Sequence, residues 1–215
     1  MVLPETAGNF NFHAWLLAVD RHAAQQTRLQ GCPRCGGPLY AAHYERKTRG
    51  LGPEALKAGQ YDVRLSLCCG REGCRARATP PSVRFLGRRV YAAVAVVVLS
   101  LRQALARVAT EGLSVEVAQQ SPAWCTRRRW SWWWREGLWS SPWFGAERAH
   151  FATPAAPSAA PDSLLQQFAG SVTEQLRRLL VMLCPLTTLS LAAEQARSVM
   201  VAALAQKMTM DLRGA

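Results

Sequence analysis

Five of the seven cysteines in this 215-residue chain fall between positions 32 and 74. Cys32-Pro33-Arg34-Cys35-Gly36-Gly37 is one pair, and Cys68-Cys69-Gly70-Arg71-Glu72-Gly73-Cys74 is a second group. Two thiols on a tight turn, followed by glycines that let backbone N–H groups point at sulfur, make a zinc knuckle. Zinc takes four ligands in a tetrahedron, and two such turns facing each other supply them. A stretch of 57 residues (31–87) can barely bury a core of its own, so a metal there is expected to be structural. Four thiolates leave no open coordination position, which excludes water activation at such a site.

Three thiols compete for two places in the second group. Tyr61-Asp62-Val63-Arg64-Leu65-Ser66-Leu67 alternates apolar and polar residues, as a half-buried strand does. Continued through the cysteines, the alternation puts Val63, Leu65, Leu67 and Cys69 on one face and Arg64, Ser66 and Cys68 on the other. The expected ligands are therefore Cys32, Cys35, Cys69 and Cys74 around one Zn2+, with Cys68 as the alternative third ligand. His43, between Ala42 and Tyr44, reads as an ordinary strand or loop residue, and Cys125 and Cys184 as packing residues on helices.

The rest of the chain divides around this ribbon. Residues 1–30 hold one amphipathic helix, with Phe12, Trp15, Leu16 and Val19 at helical spacing up to Gly31. Residues 88–150 read as a helix-turn-helix domain: a long helix over 88–110 stopped by Gly112, a short helix over 113–120, a Ser121-Pro122 turn and a third helix over 123–138. Residues 151–161, rich in Pro, Ala and Ser, read as a linker. Residues 162–215 form a helical hairpin, capped by Asp162 or Ser163 and interrupted at Pro185, with a last helix over 189–210. Such a hairpin packs in cis or makes a homodimer, because alone it cannot bury both apolar faces. The expected class is α+β and mostly α: N-terminal helix, small β zinc ribbon, helix-turn-helix bundle, C-terminal helical hairpin.

Charge narrows the partner. Lys and Arg number 26 against 14 Asp and Glu, a formal net charge of +12, and lysine occurs only at Lys47, Lys57 and Lys207. An arginine excess of this size makes a polyanion the default partner, since guanidinium suits bidentate phosphate and base-edge contacts. Arg75, Arg77, Arg84, Arg88 and Arg89 follow the second knuckle with no Asp or Glu between them and read as a phosphate-facing surface. In the third helix Trp130, Trp133, Trp134 and Leu138 share one face by spacing. Arg127, Arg128 and Arg135 fall mainly on the other. The N-terminal part of a recognition helix reads bases, which nominates Thr126, Arg127, Arg128 and Arg129. Trp132 is the candidate exposed stacking residue.

The stretches Cys32 to Tyr40, Arg46-Lys47-Thr48-Arg49-Gly50, Cys74 to Arg88 and the Arg129–Trp134 run resemble small bacterial proteins found with mobile genetic elements. Their front end is similar to the zinc ribbons that precede DNA-binding helices in several insertion-sequence transposases. The resemblance covers roughly residues 30–145 and implies a role at transposon DNA; it assigns no chemistry to single positions. No nuclease segment is recognised beyond it, a departure from those transposases.

The expected function is a non-enzymatic, zinc-dependent DNA-binding protein, accessory to or regulating transposition or recombination. Its expected partners are double-stranded DNA, at mobile-element ends or targets, and a transposase or recombinase. An RNA-binding or protein-bridging subunit of a larger nucleoprotein complex is the alternative. A nuclease or transposase needs clustered carboxylates to hold two cations, and the 14 acidic residues are scattered. The N-terminus (Met1-Val2-Leu3-Pro4-Glu5-Thr6) lacks the look of a signal peptide, and the Tyr91–Leu101 run is too short to cross a bilayer. A cytoplasmic, nucleoid-associated place without membrane contact is the corresponding expectation, and reduced thiols agree with it.

Overall fold

The structure is a computed structural model that describes residues 10–46, 60–86, 93, 96, 97, 100 and 124–213. It is mixed α+β and mostly helical, with two small antiparallel sheets. Helix α1 (Phe10–Gln30) buries Phe12, Leu16, Val19 and Ala23, a stripe at helical spacing. It stops at Gly31, whose φ of +78° and N–H to the Arg28 carbonyl (3.2 Å) close the last turn in the left-handed conformation glycine allows.

The cysteine region follows. Strands β1 (Leu39–Ala41), β4 (Leu67–Cys69) and β5 (Arg77–Ala78) form one sheet in the order β1-β4-β5, with Leu39 opposite Cys69 and Leu67 opposite Ala78. Strands β2 (Tyr44–Glu45) and β3 (Val63–Arg64) pair separately. The expected strand alternation holds over β4, where Leu67 and Cys69 are buried and Cys68 is not. It reverses at β3: Arg64 and Ser66 are buried, and Val63 and Leu65 only half so. The reason is long-range, because Arg64 Nη2 donates to the carbonyls of Pro80 (2.7 Å) and Thr187 (3.1 Å).

The helical part continues with α2 (Trp124–Trp132), which runs into a π-helical turn (Trp133–Gly137), and α3 (Pro142–Arg148) with Pro142 at its first position. Trp130, Trp134 and Leu138 are buried. The wider π turn is closed by the Leu138 N–H to the Trp133 carbonyl (2.8 Å), and Leu138 is buried in the same core cluster as Trp134. The Trp134 indole N–H donates to Ser100 Oγ (2.9 Å). Ala93, Val96, Val97 and Ser100 are helical and buried. The remainder of the expected 88–110 helix, Gly112, the 113–120 helix and the Ser121-Pro122 turn lie outside the described residues.

Two expectations for the C-terminal half change. The helix begun at Asp162 ends after one turn (α4, Asp162–Leu165), and α5 (Val172–Met182) starts afresh after Gly170, at φ +110°. Ser171 caps α5, its Oγ accepting the Glu174 N–H (3.3 Å), while the Glu174 carboxylate pairs with Arg178 (3.2 Å). After a 3₁₀ turn (Cys184–Thr187), α6 (Ala193–Arg213) lies antiparallel on α1, with Gln195 bonded to Gln30 and Gln26 to Gln206. Residues 151–161, expected as a linker, are packed: Phe151, Ala155 and Ala160 lie against the main core, and Ser163 Oγ donates to the Ala156 carbonyl (2.8 Å).

One apolar cluster joins α1, Val83, Leu86, Ala93, Val96 and Val97 with α2 through α6, including Leu176, Leu180, Leu183, Val199, Met200 and Ala203. The hairpin thus docks in cis, its buried apolar residues sharing the chain's main core. The cysteine region has a separate small cluster: Cys32, Leu39, Leu67, Cys69 and Ala78. No helix among the described residues is long and apolar enough to cross a membrane.

A buried polar network fastens the two parts together. Asp20 of α1 accepts the Val83 N–H (2.8 Å) and the Ser82 hydroxyl, and pairs with Arg84 Nε (2.8 Å). Arg84 also donates to the Tyr61 carbonyl and to the Val63 carbonyl (3.0 Å), while His13 Nδ1 meets the Tyr61 hydroxyl (2.8 Å). This corrects the nucleic-acid assignment of Arg84. Its guanidinium is 0% exposed and committed to Asp20 and two carbonyls, so it faces no external phosphate. Spacing along 75–89 could not reveal this, because the neutralising carboxylate lies more than sixty residues upstream.

Candidate metal centre and basic surfaces

Each knuckle is a tight turn set at the end of the small sheet. In the first, the Gly36 N–H donates to the Cys32 carbonyl (2.8 Å) and the Cys32 N–H to the Gly37 carbonyl (2.9 Å). In the second, the Cys74 N–H donates to the Arg71 carbonyl (3.2 Å), and the Cys69 N–H to that of Ala76 (2.9 Å). Pairing of β1 with β4 brings the turns face to face. The Sγ atoms of Cys32, Cys35, Cys69 and Cys74 then lie within 4.8 Å of one another, with Cys32–Cys74 at 3.8 Å and Cys35–Cys69 at 3.5 Å. Four sulfurs each about 2.3 Å from a tetrahedral centre are about 3.8 Å apart, so the cluster has the dimensions of a four-thiolate metal site.

The surroundings fit charged sulfurs. The Gly37 N–H aimed at Cys35 is the main cause that lowers this thiol to about 7. The Arg71 N–H donates to Cys69 Sγ (3.4 Å) and pulls that thiol down too, but burial and the adjacent thiols outweigh it and push it up to about 12. Four neighbouring sulfurs cannot all ionise without a cation between them, which is what a divalent metal supplies. A Cβ on Gly37 would sit 3.2 Å from Cys69 Sγ and 3.3 Å from Cys35 Sγ, so the sulfurs use the space a side chain would fill.

The competing thiol is set apart. Cys68 points to the opposite face of β4, its Sγ 3.6 Å from the Arg75 carbonyl. His43 is occupied elsewhere, its Nδ1 accepting the Ser66 N–H (3.1 Å). Cys184 is buried in the helical core, where desolvation pushes its thiol far up; the Cys125 side chain lies outside the described residues.

Two groups of exposed arginines stand beside the expected sites, and Arg21, Arg28, Arg148, Arg178 and Arg197 are exposed elsewhere. Arg75 and Arg77 are exposed beside the knuckles, together with Arg34 and Arg71, which sequence reasoning passed over. Both of the latter sit inside the knuckle turns, a position that by itself signals exposure. Arg77 lies over the Tyr44 ring at 5.6 Å. In α2 and its π turn, Arg128, Arg129 and Arg135 are exposed and Thr126 is half-buried. Trp132, 56% exposed, sits between Arg128 and Arg135 along the i, i+4, i+7 stripe. Arg88 and Arg89 and the Arg127 side chain are outside the described residues. Comparison of the chain with family models, with curated proteins and with solved structures gave no match.

Proposed function

We propose that the chain is a non-enzymatic nucleic-acid-binding protein in which one structural Zn2+, held by Cys32, Cys35, Cys69 and Cys74, stabilises a basic zinc ribbon. The observation that carries this reading is the pairing of a closed four-cysteine cluster with two exposed arginine groups, one on the knuckles and one flanking Trp132. Zinc is favoured among metals for a tetrahedral all-sulfur site. The metal contributes folding energy and leaves binding to the protein's own side chains.

Double-stranded DNA is the proposed partner. Helix α2 and its π turn would offer Arg128, Arg129 and Arg135 to a groove, with Arg34, Arg71 and Arg75 on the flanking phosphates. The likeness of the Cys32–Tyr40 and Cys74–Arg88 stretches to transposase-associated zinc ribbons supports a site of action at mobile-element ends or targets, beside a transposase or recombinase. A second reading, RNA or single-strand binding, is favoured by Trp132, because an exposed indole between arginines suits unpaired bases.

Duplex affinity against salt tests the proposal. Wild type is expected to bind with an affinity that falls linearly in log–log form with salt. Arg128→Ala is expected to weaken it by about 1–3 kcal/mol if the guanidinium reads a base, or to lower the salt slope by about 1 if it meets a phosphate. Wild-type binding that does not respond to salt, or an Arg128→Ala variant identical to wild type in both quantities, counts against the assignment.

A further inference from the structure

Between the ribbon and the turn that leads into α6 lies a cleft of about 430 Å3, lined among others by Tyr44, Arg46, Arg64, Arg77, Leu189 and Ser190. Its size is within the range of roughly 300–1,000 Å3 typical of small-ligand sites. Three of the described lining residues are arginines and none is a carboxylate. Arg64 is 2% exposed, and its Nη2 donates to the carbonyls of Pro80 (2.7 Å) and Thr187 (3.1 Å). A buried guanidinium normally meets a carboxylate or phosphate, because carbonyls do not neutralise its charge. Arg46 is held over the Phe85 ring at 5.5 Å and Arg77 over the Tyr44 ring at 5.6 Å, so both cations are positioned at the cleft by aromatic stacking.

The apolar side of the cleft is equally specific. Tyr44 is 40% exposed, and Leu189, at 85%, stands out from the turn on the opposite wall. Arg77 lies over one face of the Tyr44 ring, so a base would stack on the other, within reach of the cations that take its phosphate. In a duplex the bases are stacked on each other and cannot reach such a platform; an unpaired nucleotide can.

We infer that this cleft binds one unpaired nucleotide of a nucleic-acid strand, its phosphate among Arg46, Arg64 and Arg77 and its base on Tyr44. The inference rests on the nucleic-acid reading above and adds a subsite to it: the helix stripe engages the duplex, and the cleft holds a displaced or single-stranded residue beside it.

The test uses the full-length, zinc-loaded protein, a fluorescein-labelled oligothymidylate strand and a labelled duplex, read by anisotropy. Tyr44→Ala and Arg77→Ala are each expected to weaken strand binding about tenfold or more, and Tyr44→Phe to stay close to wild type. Tyr44→Ala is further expected to leave duplex affinity unchanged. One zinc per chain and an unchanged far-ultraviolet dichroism spectrum identify folded variants, and both side chains are exposed enough to change without disturbing a core. If Tyr44→Ala and Arg77→Ala bind the strand as wild type does, the cleft assignment fails while the nucleic-acid reading stands. Equal loss by Tyr44→Ala on strand and duplex also overturns the unpaired-nucleotide subsite. Wild-type protein that binds neither probe overturns both.

Discussion

Asp20→Ala is expected to lower folding stability by about 3–5 kcal/mol, the loss typical of a buried ion pair deprived of one partner. Asp20 accepts from Ser82, Val83 and Arg84 at once, and both it and Arg84 are essentially sealed from solvent. Removing the carboxylate leaves the Arg84 charge buried with carbonyls only. It also orphans the Val83 N–H, in the segment that leads from the ribbon to the helical core. Asp20→Asn keeps acceptor capacity and should lose less. The double replacement Asp20→Leu with Arg84→Met should recover much of the loss, since well-packed apolar pairs often match buried ionic ones. Urea unfolding of zinc-saturated protein measures all three against wild type. A loss below about 1 kcal/mol for Asp20→Ala contradicts the network as the fastening between ribbon and core.

The second large effect concerns the metal. Chelation, or Cys35→Ser or Cys74→Ser, is expected to release zinc and unfold residues 31–41 and 67–78, because the local apolar cluster is only five residues. Apparent zinc binding in small folded sites is worth about 10–16 kcal/mol, far more than such a cluster supplies. The helical core should persist, since its cluster contains no residue of those two segments. Amide exchange would then show protection lost in the ribbon and kept in α1, α5 and α6. Cys68→Ser, on the other face of β4, should retain metal and protection. Unchanged zinc content in Cys35→Ser, or collapse of protection throughout the chain, runs against this partition.

These outcomes separate what local pattern encodes from what it does not. The four-cysteine cluster was legible because its chemistry is local: two thiols on a turn, glycines behind them, and a strand alternation that chose Cys69 over Cys68. The N-terminal helix and the buried faces of Trp130, Trp134 and Leu138 were legible for the same reason, the repeat of apolar side chains. Arg84 was misassigned because its partner Asp20 is distant in sequence, so an arginine that belongs to the interior looked like part of a basic surface. Arg64 shows the same effect in β3, where carbonyls from Pro80 and Thr187 draw a charged residue inward against the strand pattern. The helix expected between Asp162 and the break at Pro185 is split at Gly170-Ser171, where a left-handed glycine followed by a capping serine is a local signal the sequence carries. The Pro-rich 151–161 segment carried no sign of the wall it would pack against.

Zinc K-edge X-ray absorption on the purified protein tests the central claim most directly. The account predicts one zinc per chain with a single shell of four sulfurs at about 2.3 Å, retained in Cys68→Ser. A first shell containing nitrogen or oxygen, or sulfur coordination lost in Cys68→Ser, would contradict it.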